Sequence, residues 1–184
     1  MPTHEDLRRI ALAEFAASGY GGTSLQRVAE LAGVSKSSVL YHFDSKEALL
    51  EAAIAPALDR MDQILATLAE AGFGPDAHAR FLQEFVDFLL AHRLEVHTFI
   101  NQSLALQDVP VVLRAHELVG RLSEHLQERT ASTIDSMRFG VALGGAAYML
   151  CSMSTFGVEE PPEAEVRAAL LQILGELLAP IRIH

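Results

Sequence analysis

Hydrophobic residues recur at intervals of three and four positions along almost the whole chain. Near the N-terminus, Leu7, Ala11 and Phe15 form such a stripe, and an α-helix places residues with this spacing on one face. No segment shows the apolar and polar alternation that is typical of a half-buried strand. The pattern therefore predicts an all-α fold.

Capping residues and helix breakers predict where the first helices begin and end. Side-chain oxygens suited to a helix N-terminus stand at Thr3, at Thr23 or Ser24, at Ser35 and at Ser45. Such oxygens accept N–H groups of the first helical turn. A glycine-rich turn at residues 19–22 ends the first predicted helix and Gly33 ends the second. The fourth helix runs to about Leu68, with a kink expected at Pro56.

The rest of the chain predicts longer helices. They cover about residues 76–91, 94–107, 110–129, 132–156 and 163–180. The sequence thus predicts an N-terminal head of three short helices and a C-terminal body of longer ones. We place the head at residues 1–48 and the body at residues 49–184.

Residues 24–43 have the spacing of a helix-turn-helix motif. Ala29 is small where the two helices cross, and Gly33 tolerates a left-handed backbone at the turn. The second helix presents side chains that can donate hydrogen bonds to phosphates or base edges. These are Ser35, Lys36, Ser37, Ser38, Tyr41 and His42. Spacing alone leaves open an ordinary helical hairpin with a solvated polar face.

The stretch TSLQRVAELAGVSKSSVLYHFDSKEALL, residues 23–50, closely resembles the DNA-binding region of the TetR family of transcriptional regulators. The similarity covers the Ala-Gly-Val-Ser turn, the aromatic-His-Phe close and the Lys-Glu-Ala-Leu-Leu opening of the next helix, and it extends over about residues 5–52. The resemblance implies that Lys36, Ser37, Ser38 and Tyr41 face the major groove. It also implies that Thr23, His42 and Lys46 contact the DNA backbone.

Two positions depart from the family pattern. Many relatives have glycine at the position of Ser37 and tyrosine at the position of Leu40. These departures concern the DNA sequence that is read, and they leave the expected fold unchanged.

The resemblance further implies a homodimer, in which the last two helices of each subunit form a four-helix bundle. The residue pattern supports this arrangement, because small residues allow helices to approach closely and an apolar face needs a partner. The residues concerned are Gly140, Gly144, Ala147 and Cys151, followed by Leu170, Leu174, Leu177 and Ile181. Packing of these residues within one chain is the alternative.

By the same resemblance, the body encloses a small-molecule effector that releases the protein, expected to act as a repressor, from its operator. Candidate apolar lining residues are Phe81, Phe85, Phe88, Phe99, Tyr148, Met149 and Met153, and candidate polar anchors are His97, Asn101 and Gln102. An ordinary role in the hydrophobic core is the alternative for each of them.

Charge distribution places any DNA-binding surface in the head. The formal net charge is -10, but the first fifty residues contain five basic and six acidic residues, so most of the excess acid lies in the body. Acidic surfaces repel phosphate. The single cysteine excludes an intramolecular disulfide, and the N-terminus lacks the features of a signal peptide. These features favour a cytoplasmic protein.

Other functional classes find little support in the sequence. The uncharged segment 139–158 contains four glycines, which favours a buried helix over a membrane span. The spacing of His78, His92, His97, His116 and His125 does not suit a metal site, and we expect no metal or cofactor. No nucleophile motif or phosphate loop indicates an enzyme. A helical enzyme and an interaction protein that retains the head are the alternative functions.

Overall fold

The computed structural model describes residues 2–71, 74–127, 132–152 and 161–179. Within these residues the regular structure is helical throughout, which confirms the all-α prediction. The α-helices are α1 (His4–Gly22), α2 (Leu25–Ala32), α3 (Lys36–His42), α4 (Lys46–Ala71), α5 (Pro75–Ala91), α6 (Arg93–Gln102), α7 (Pro110–Gln127), α8 (Thr133–Ser152) and α9 (Glu163–Leu178).

The first three helices begin at capping residues that the sequence predicts. The hydroxyl of Thr3 accepts the N–H of Asp6 at 3.1 Å, and the carboxylate of Asp6 accepts the N–H of Thr3 at 2.9 Å. This reciprocal pair satisfies two N–H groups that α1 leaves free. Ser24 caps α2 and Ser35 caps α3, each by accepting the N–H three residues further on. The choice between Thr23 and Ser24 is thereby decided for Ser24.

Helix α1 has a kink at Gly19, where φ is 74° and ψ is 161°. Residues other than glycine rarely adopt this backbone conformation. The prediction that the first helix ends in the glycine-rich segment 19–22 is confirmed: a helical turn resumes after Gly19, and the helix ends at Gly22. The hydroxyl of Thr23 donates to the carbonyl oxygen of Gly19 at 2.8 Å and closes this end of the helix.

Helix α4 continues through Pro56, as predicted, and a kink at this residue stays a prediction. One other helix differs from its predicted course. The prediction of one helix over residues 94–107 is wrong: α6 ends at Gln102, where the backbone leaves the helical region, and a 3₁₀ helix follows at Ser103–Leu106. Tightening into 3₁₀ geometry is common at helix ends. The last parts of the predicted helices 132–156 and 163–180 lie outside the described residues.

The chain divides into two compact units. The first comprises Met1–Leu58 and Leu94–Ala115, and the second comprises Asp59–Arg93 and His116–His184. In the first unit α2 packs against α1 and α3, and in the second unit α9 packs against α5 and α8. The domain boundary at residue 48 divides the chain differently and stays a prediction.

Among the described helices, none combines the length and the apolar character that a membrane crossing requires.

Candidate DNA interface

The α2–α3 corner is held by backbone hydrogen bonds and by small buried side chains. Gly33 has φ 67° and ψ 30°, the left-handed conformation that ends α2. The N–H of Val34 then donates to the carbonyl oxygen of Ala29 at 2.9 Å. Val28, Ala29 and Val39 are fully buried beneath the corner. The motif is therefore a fixed platform for the outward face of α3.

The outward face of α3 carries the predicted recognition residues. The side chain of Tyr41 is 86% exposed, and Lys36, Ser37 and His42 are also exposed. A tyrosine this open on a short helix is unusual for a residue with a large apolar ring. The arrangement offers one cation, hydroxyl groups and an aromatic ring to a partner.

Two serines on α3 contribute to the helix itself. The hydroxyl of Ser35 accepts the N–H of Ser38 at 3.2 Å, and the two hydroxyl oxygens lie 2.9 Å apart. Ser35 is exposed and Ser38 is half-buried. Both hydroxyl groups thus stabilise the start of α3 and lie beside Lys36.

Aromatic rings surround His42 at the end of α3. Its ring centroid lies 5.3 Å from that of Tyr41 and 6.1 Å from that of His4. The ring of His4 also contacts Phe43, at a centroid distance of 4.4 Å. Phe43 is buried. These contacts limit the orientations of the His42 ring while leaving the residue exposed.

Thr23 and Lys46, which the resemblance places on the DNA backbone, use their polar groups inside the first unit. Thr23 is 2% exposed, and its hydroxyl donates to Gly19. The ammonium group of Lys46 donates to the carbonyl oxygens of Tyr20 and Thr23 at 2.9 and 3.0 Å. A phosphate contact by the Thr23 hydroxyl would have to replace its bond to Gly19, whereas the ammonium group of Lys46 has a third N–H beyond these two bonds.

Tyr20 connects the end of α1 with the start of α4. Its hydroxyl donates to the carboxylate of Glu47 at 2.7 Å. Burial, together with this bond, raises the pKa of Tyr20 above its usual value, and accepting the bond lowers the pKa of Glu47. The pair therefore keeps a protonated donor and a charged acceptor. The sequence pattern pointed to Tyr41 on α3 and did not indicate this contact of Tyr20.

The structure distributes the predicted effector residues over both units. In the second unit, Phe81, Phe85 and Phe88 are buried on α5, and the rings of the first two stack at 5.8 Å. Tyr148 and Met149 on α8 are half-exposed. The residues of the first unit are His97, Phe99, Asn101 and Gln102, all on α6. Met153 lies outside the described residues.

Several polar atoms of α6 have informative surroundings. The amide of Asn101 donates to the carbonyl oxygen of His97 on its own helix at 3.0 Å. Within the described part of the chain, neither Nδ1 of His97 nor the hydroxyl of Thr98 has a hydrogen-bond partner, although both atoms are buried. Thr98 is 1% exposed. The sequence does not indicate a special role for Thr98, because a single threonine in a helix is common.

The predicted dimer residues are partly buried within the chain and partly exposed. Cys151 and Leu174 are buried, Ala147 and Leu170 are half-buried, and Gly140, Gly144 and Leu177 are exposed. Ile181 lies outside the described residues. The packing of these residues within one chain, left open by the sequence, therefore holds for Cys151 and Leu174.

An apolar groove of about 490 Å³ lies between α8 and α9. Its exposed lining includes Val141, Met149, Ile173 and Leu177, of which Val141 is 65% exposed. Ile134 and Met137 extend the exposed apolar face along α8. The sequence pattern indicated the small residues of this face and Leu177, but not Val141, Ile134 or Met137.

Over the residues that the structure describes, no three His, Cys, Asp or Glu side chains lie close enough together to hold a metal ion. Burial lowers the pKa of His78, whose ring lies 6.0 Å from that of Phe139.

Comparison with known proteins identifies the first unit's helix-turn-helix region. Residues 7–53 match the family model of bacterial regulatory proteins, tetR family. Over 49 residues the chain is 53% identical to the HTH-type transcriptional regulator RutR of Escherichia coli (strain K12). Over 77 residues it is 32% identical to IcaR of Staphylococcus aureus (strain Newman), a negative transcriptional regulator of the biofilm operon icaADBC.

These sequence matches are local. The RutR alignment covers 27% of this chain and 23% of RutR, and the IcaR alignment covers 41% of each protein. The chain therefore matches well under half the length of these curated relatives.

The fold likeness extends over nearly the whole chain. The ketosteroid transcriptional regulator KstR2 of Mycobacterium tuberculosis superposes with a TM-score of 0.71, covering 97% of this chain and 94% of KstR2 at 16% identity. At this identity the likeness concerns the fold alone. Residues 7–53 therefore match the tetR family of bacterial regulatory proteins, and nearly the whole chain shares its fold with KstR2.

Proposed function

We propose that the protein is a sequence-specific DNA-binding transcriptional regulator that reads the major groove with α3. The observation that carries this proposal is the exposed face of α3, where Lys36 and the 86% exposed Tyr41 stand on a buried helix-turn-helix core. An α-helix fits the major groove, and exposed cationic and hydroxyl side chains there can contact base edges and phosphates. The regulators RutR and IcaR support the assignment through their similarity to the same region.

The surroundings of each residue suggest a division of roles. Lys36, Ser37 and Tyr41 are free to reach base edges, and His42 stands at the end of α3 where the backbone of DNA would pass. Ser35 and Ser38 offer hydroxyl groups that also cap the helix. In this proposal Thr23 and Lys46 act from inside, by fixing the α1–α2 corner that supports the recognition helix.

The active form in this proposal is a homodimer joined through α8 and α9. The exposed apolar groove between these helices supports a second copy as its occupant, because its lining is almost entirely aliphatic and such a face is costly to leave in water. Two recognition helices related by a two-fold axis then contact half-sites about 34–36 Å apart, or a multiple of this distance.

Repression with release by a small-molecule effector is the regulatory mode that we propose. IcaR is a negative regulator by its name, and the buried phenylalanines of α5 offer an apolar environment for a ligand. An effector can release DNA only if it binds the two conformations of the protein with different affinities. A compound that binds both conformations equally would leave repression unchanged.

The test is selection of binding sites from random double-stranded DNA with the full-length protein. We expect enrichment of a two-fold symmetric site whose half-site centres are about one helical turn, or a multiple of it, apart. Recovery of unrelated sequences, or catalytic turnover by a protein that selects no site, would contradict the proposal and favour the adaptor or the enzyme.

A further inference from the structure

Gln102, the last residue of α6, bonds through its side chain to α1 on both sides of the Gly19 kink. Its Oε1 accepts the N–H of Tyr20 at 2.5 Å, and its Nε2 donates to the carbonyl oxygen of Phe15 at 2.7 Å. More than eighty residues of sequence separate the partners in each bond. Both bonds lie within the first compact unit.

The kink explains why an amide suits this position. A non-helical residue interrupts the i to i−4 hydrogen bonds, so backbone donors and acceptors near it need other partners. A glutamine side chain carries one acceptor oxygen and one donor group, and can therefore serve one of each. Oε1 of Gln102 also lies 3.8 Å from the position that a Cβ on Gly19 would occupy. The amide thus lies directly over the kink.

From Tyr20 the contacts continue to the helices beside the recognition helix. The carbonyl oxygen of Tyr20 accepts from Lys46, and its hydroxyl donates to Glu47. Lys46 is the first residue of α4 and follows Phe43, the C-cap residue of α3, by three positions. Lys46 also donates to Thr23, directly before the residue that caps α2. The segments before α2 and after α3 therefore meet at Tyr20.

We propose that Gln102 is a positioning residue for DNA recognition, a role that rests on the proposed function. Its amide fixes the direction of the chain at Gly19 and holds Tyr20 where Lys46 and Glu47 can bind it. The corner that supports α2 and α3 is then tied to α6. Gln102 affects operator affinity through this corner, without contacting DNA.

The test compares Gln102 variants on the DNA site that the wild-type protein selects. Gln102→Met keeps the side-chain length and removes both hydrogen bonds, whereas Gln102→Glu keeps an acceptor for the Tyr20 N–H. Gln107→Met is the matched control, because Gln107 is an exposed glutamine of the same compact unit. We expect Gln102→Met to weaken specific binding about tenfold, as the loss of two hydrogen bonds allows. We expect Gln102→Glu to recover part of the affinity, and Gln107→Met to leave it unchanged.

Two further readouts separate positioning from a general loss of structure. Affinity for unrelated DNA should stay unchanged in Gln102→Met, because the charges that contact phosphate are retained. Hydrogen exchange should show a protected Tyr20 amide in the wild-type protein and faster exchange in residues 19–24 of the variant, with α8 and α9 unaffected. A general loss of stability would instead raise exchange throughout the chain.

Several outcomes would overturn the inference. Specific binding by Gln102→Met equal to wild type is one, and an unprotected Tyr20 amide in the wild-type protein is another. If Gln102→Met does not fold, Gln102→Glu and the wild-type exchange data decide by the same criteria. A wild-type protein that selects no DNA site refutes the proposed function itself, whereas a selected site that all variants bind equally refutes only the role of Gln102.

Discussion

The ammonium group of Lys46 lies 4.0 Å from the centroid of the Tyr20 ring and donates a hydrogen bond to the carbonyl oxygen of the same residue. One side chain of α4 therefore contacts both the ring and the backbone of the last turn of α1. A lysine can make both contacts because its charge is carried on a flexible stem with three donors. The contact joins the two ends of the helix-turn-helix region.

We expect Lys46→Met to lower the free energy of unfolding by about 1–3 kcal/mol. The variant loses a cation–π contact and the hydrogen bonds that the charged ammonium group donates. Methionine retains an unbranched apolar side chain and removes the charge. Urea denaturation measures the change. Lys36→Met is the matched control, since Lys36 is exposed, and it should stay within about 0.5 kcal/mol of wild type. Equal stability of the two variants would contradict this role of Lys46.

A second prediction of stability concerns Gly33, whose backbone is left-handed. A Cβ at this position would meet no atom within 4 Å, so the cost of Gly33→Ala is backbone strain alone, about 1–2 kcal/mol. Gly120→Ala, in the interior of α7 with equally open surroundings, should instead stabilise the protein by up to about 1 kcal/mol. Thermal unfolding of both variants gives the comparison. A stabilised Gly33→Ala variant would show that the turn is not formed as described.

Charges placed on the α8–α9 face should separate the proposed dimer. Val141→Glu and Ile173→Glu each introduce a carboxylate at a side chain that is more than half exposed in the single chain, so the monomer itself should tolerate them. Burial of an unpaired charge between two copies is strongly unfavourable. Sedimentation velocity should find monomers for these two variants. It should find dimers for Leu113→Glu, the control, because Leu113 lies on α7 and its side chain is about as exposed as that of Ile173. Persistent dimers in both face variants would place the interface elsewhere.

The buried thiol of Cys151 should make the free energy of unfolding depend on pH in the alkaline range. Burial raises the pKa of its thiol from 9.0 to about 11. As pH rises from 9 to 11, the thiol ionises in the unfolded chain before it ionises in the folded one. This ionisation lowers the free energy of the unfolded state, so the free energy of unfolding decreases. Below pH 9 both states hold a neutral thiol, and this group contributes no pH dependence.

Urea denaturation of wild type and Cys151→Ala across this pH range measures the effect. The difference in free energy of unfolding between the two proteins should change with pH above 9 and stay constant below it. In addition, a thiol reagent at about pH 8 should modify the folded protein much more slowly than the unfolded one, because the thiolate is the reactive form. A pH-independent difference would show that the thiol is not buried as described.

The parts of the fold that depend on local interactions could be predicted from the sequence. Ser35 caps α3 and Gly33 ends α2, because a cap or a left-handed turn involves residues only a few positions apart. The buried valines of the corner follow from helical spacing in the same way. The family resemblance added the expected orientation of α3.

The contacts of Gln102 and Lys46 could not be predicted in this way. The amide of Gln102 bonds to α1, because the tertiary fold brings together residues more than eighty positions apart, and its role as an effector anchor stays a prediction. The ammonium group of Lys46 bonds to backbone carbonyls, and its contact with phosphate stays a prediction. Spacing along the chain specifies which face of a helix a residue occupies, and not what lies opposite that face.

The central claim is that the exposed face of α3 reads DNA sequence, and the most direct measurement is the dissociation constant for the selected site at one fixed salt concentration. Wild type is compared with Lys36→Ala, Tyr41→Ala and Arg80→Ala, the last of which removes an exposed positive charge from α5 as the control. We expect Lys36→Ala and Tyr41→Ala each to weaken binding by about 1–3 kcal/mol, which is about fivefold to 150-fold, and Arg80→Ala to have no effect. Unchanged affinity in both α3 variants would contradict the account.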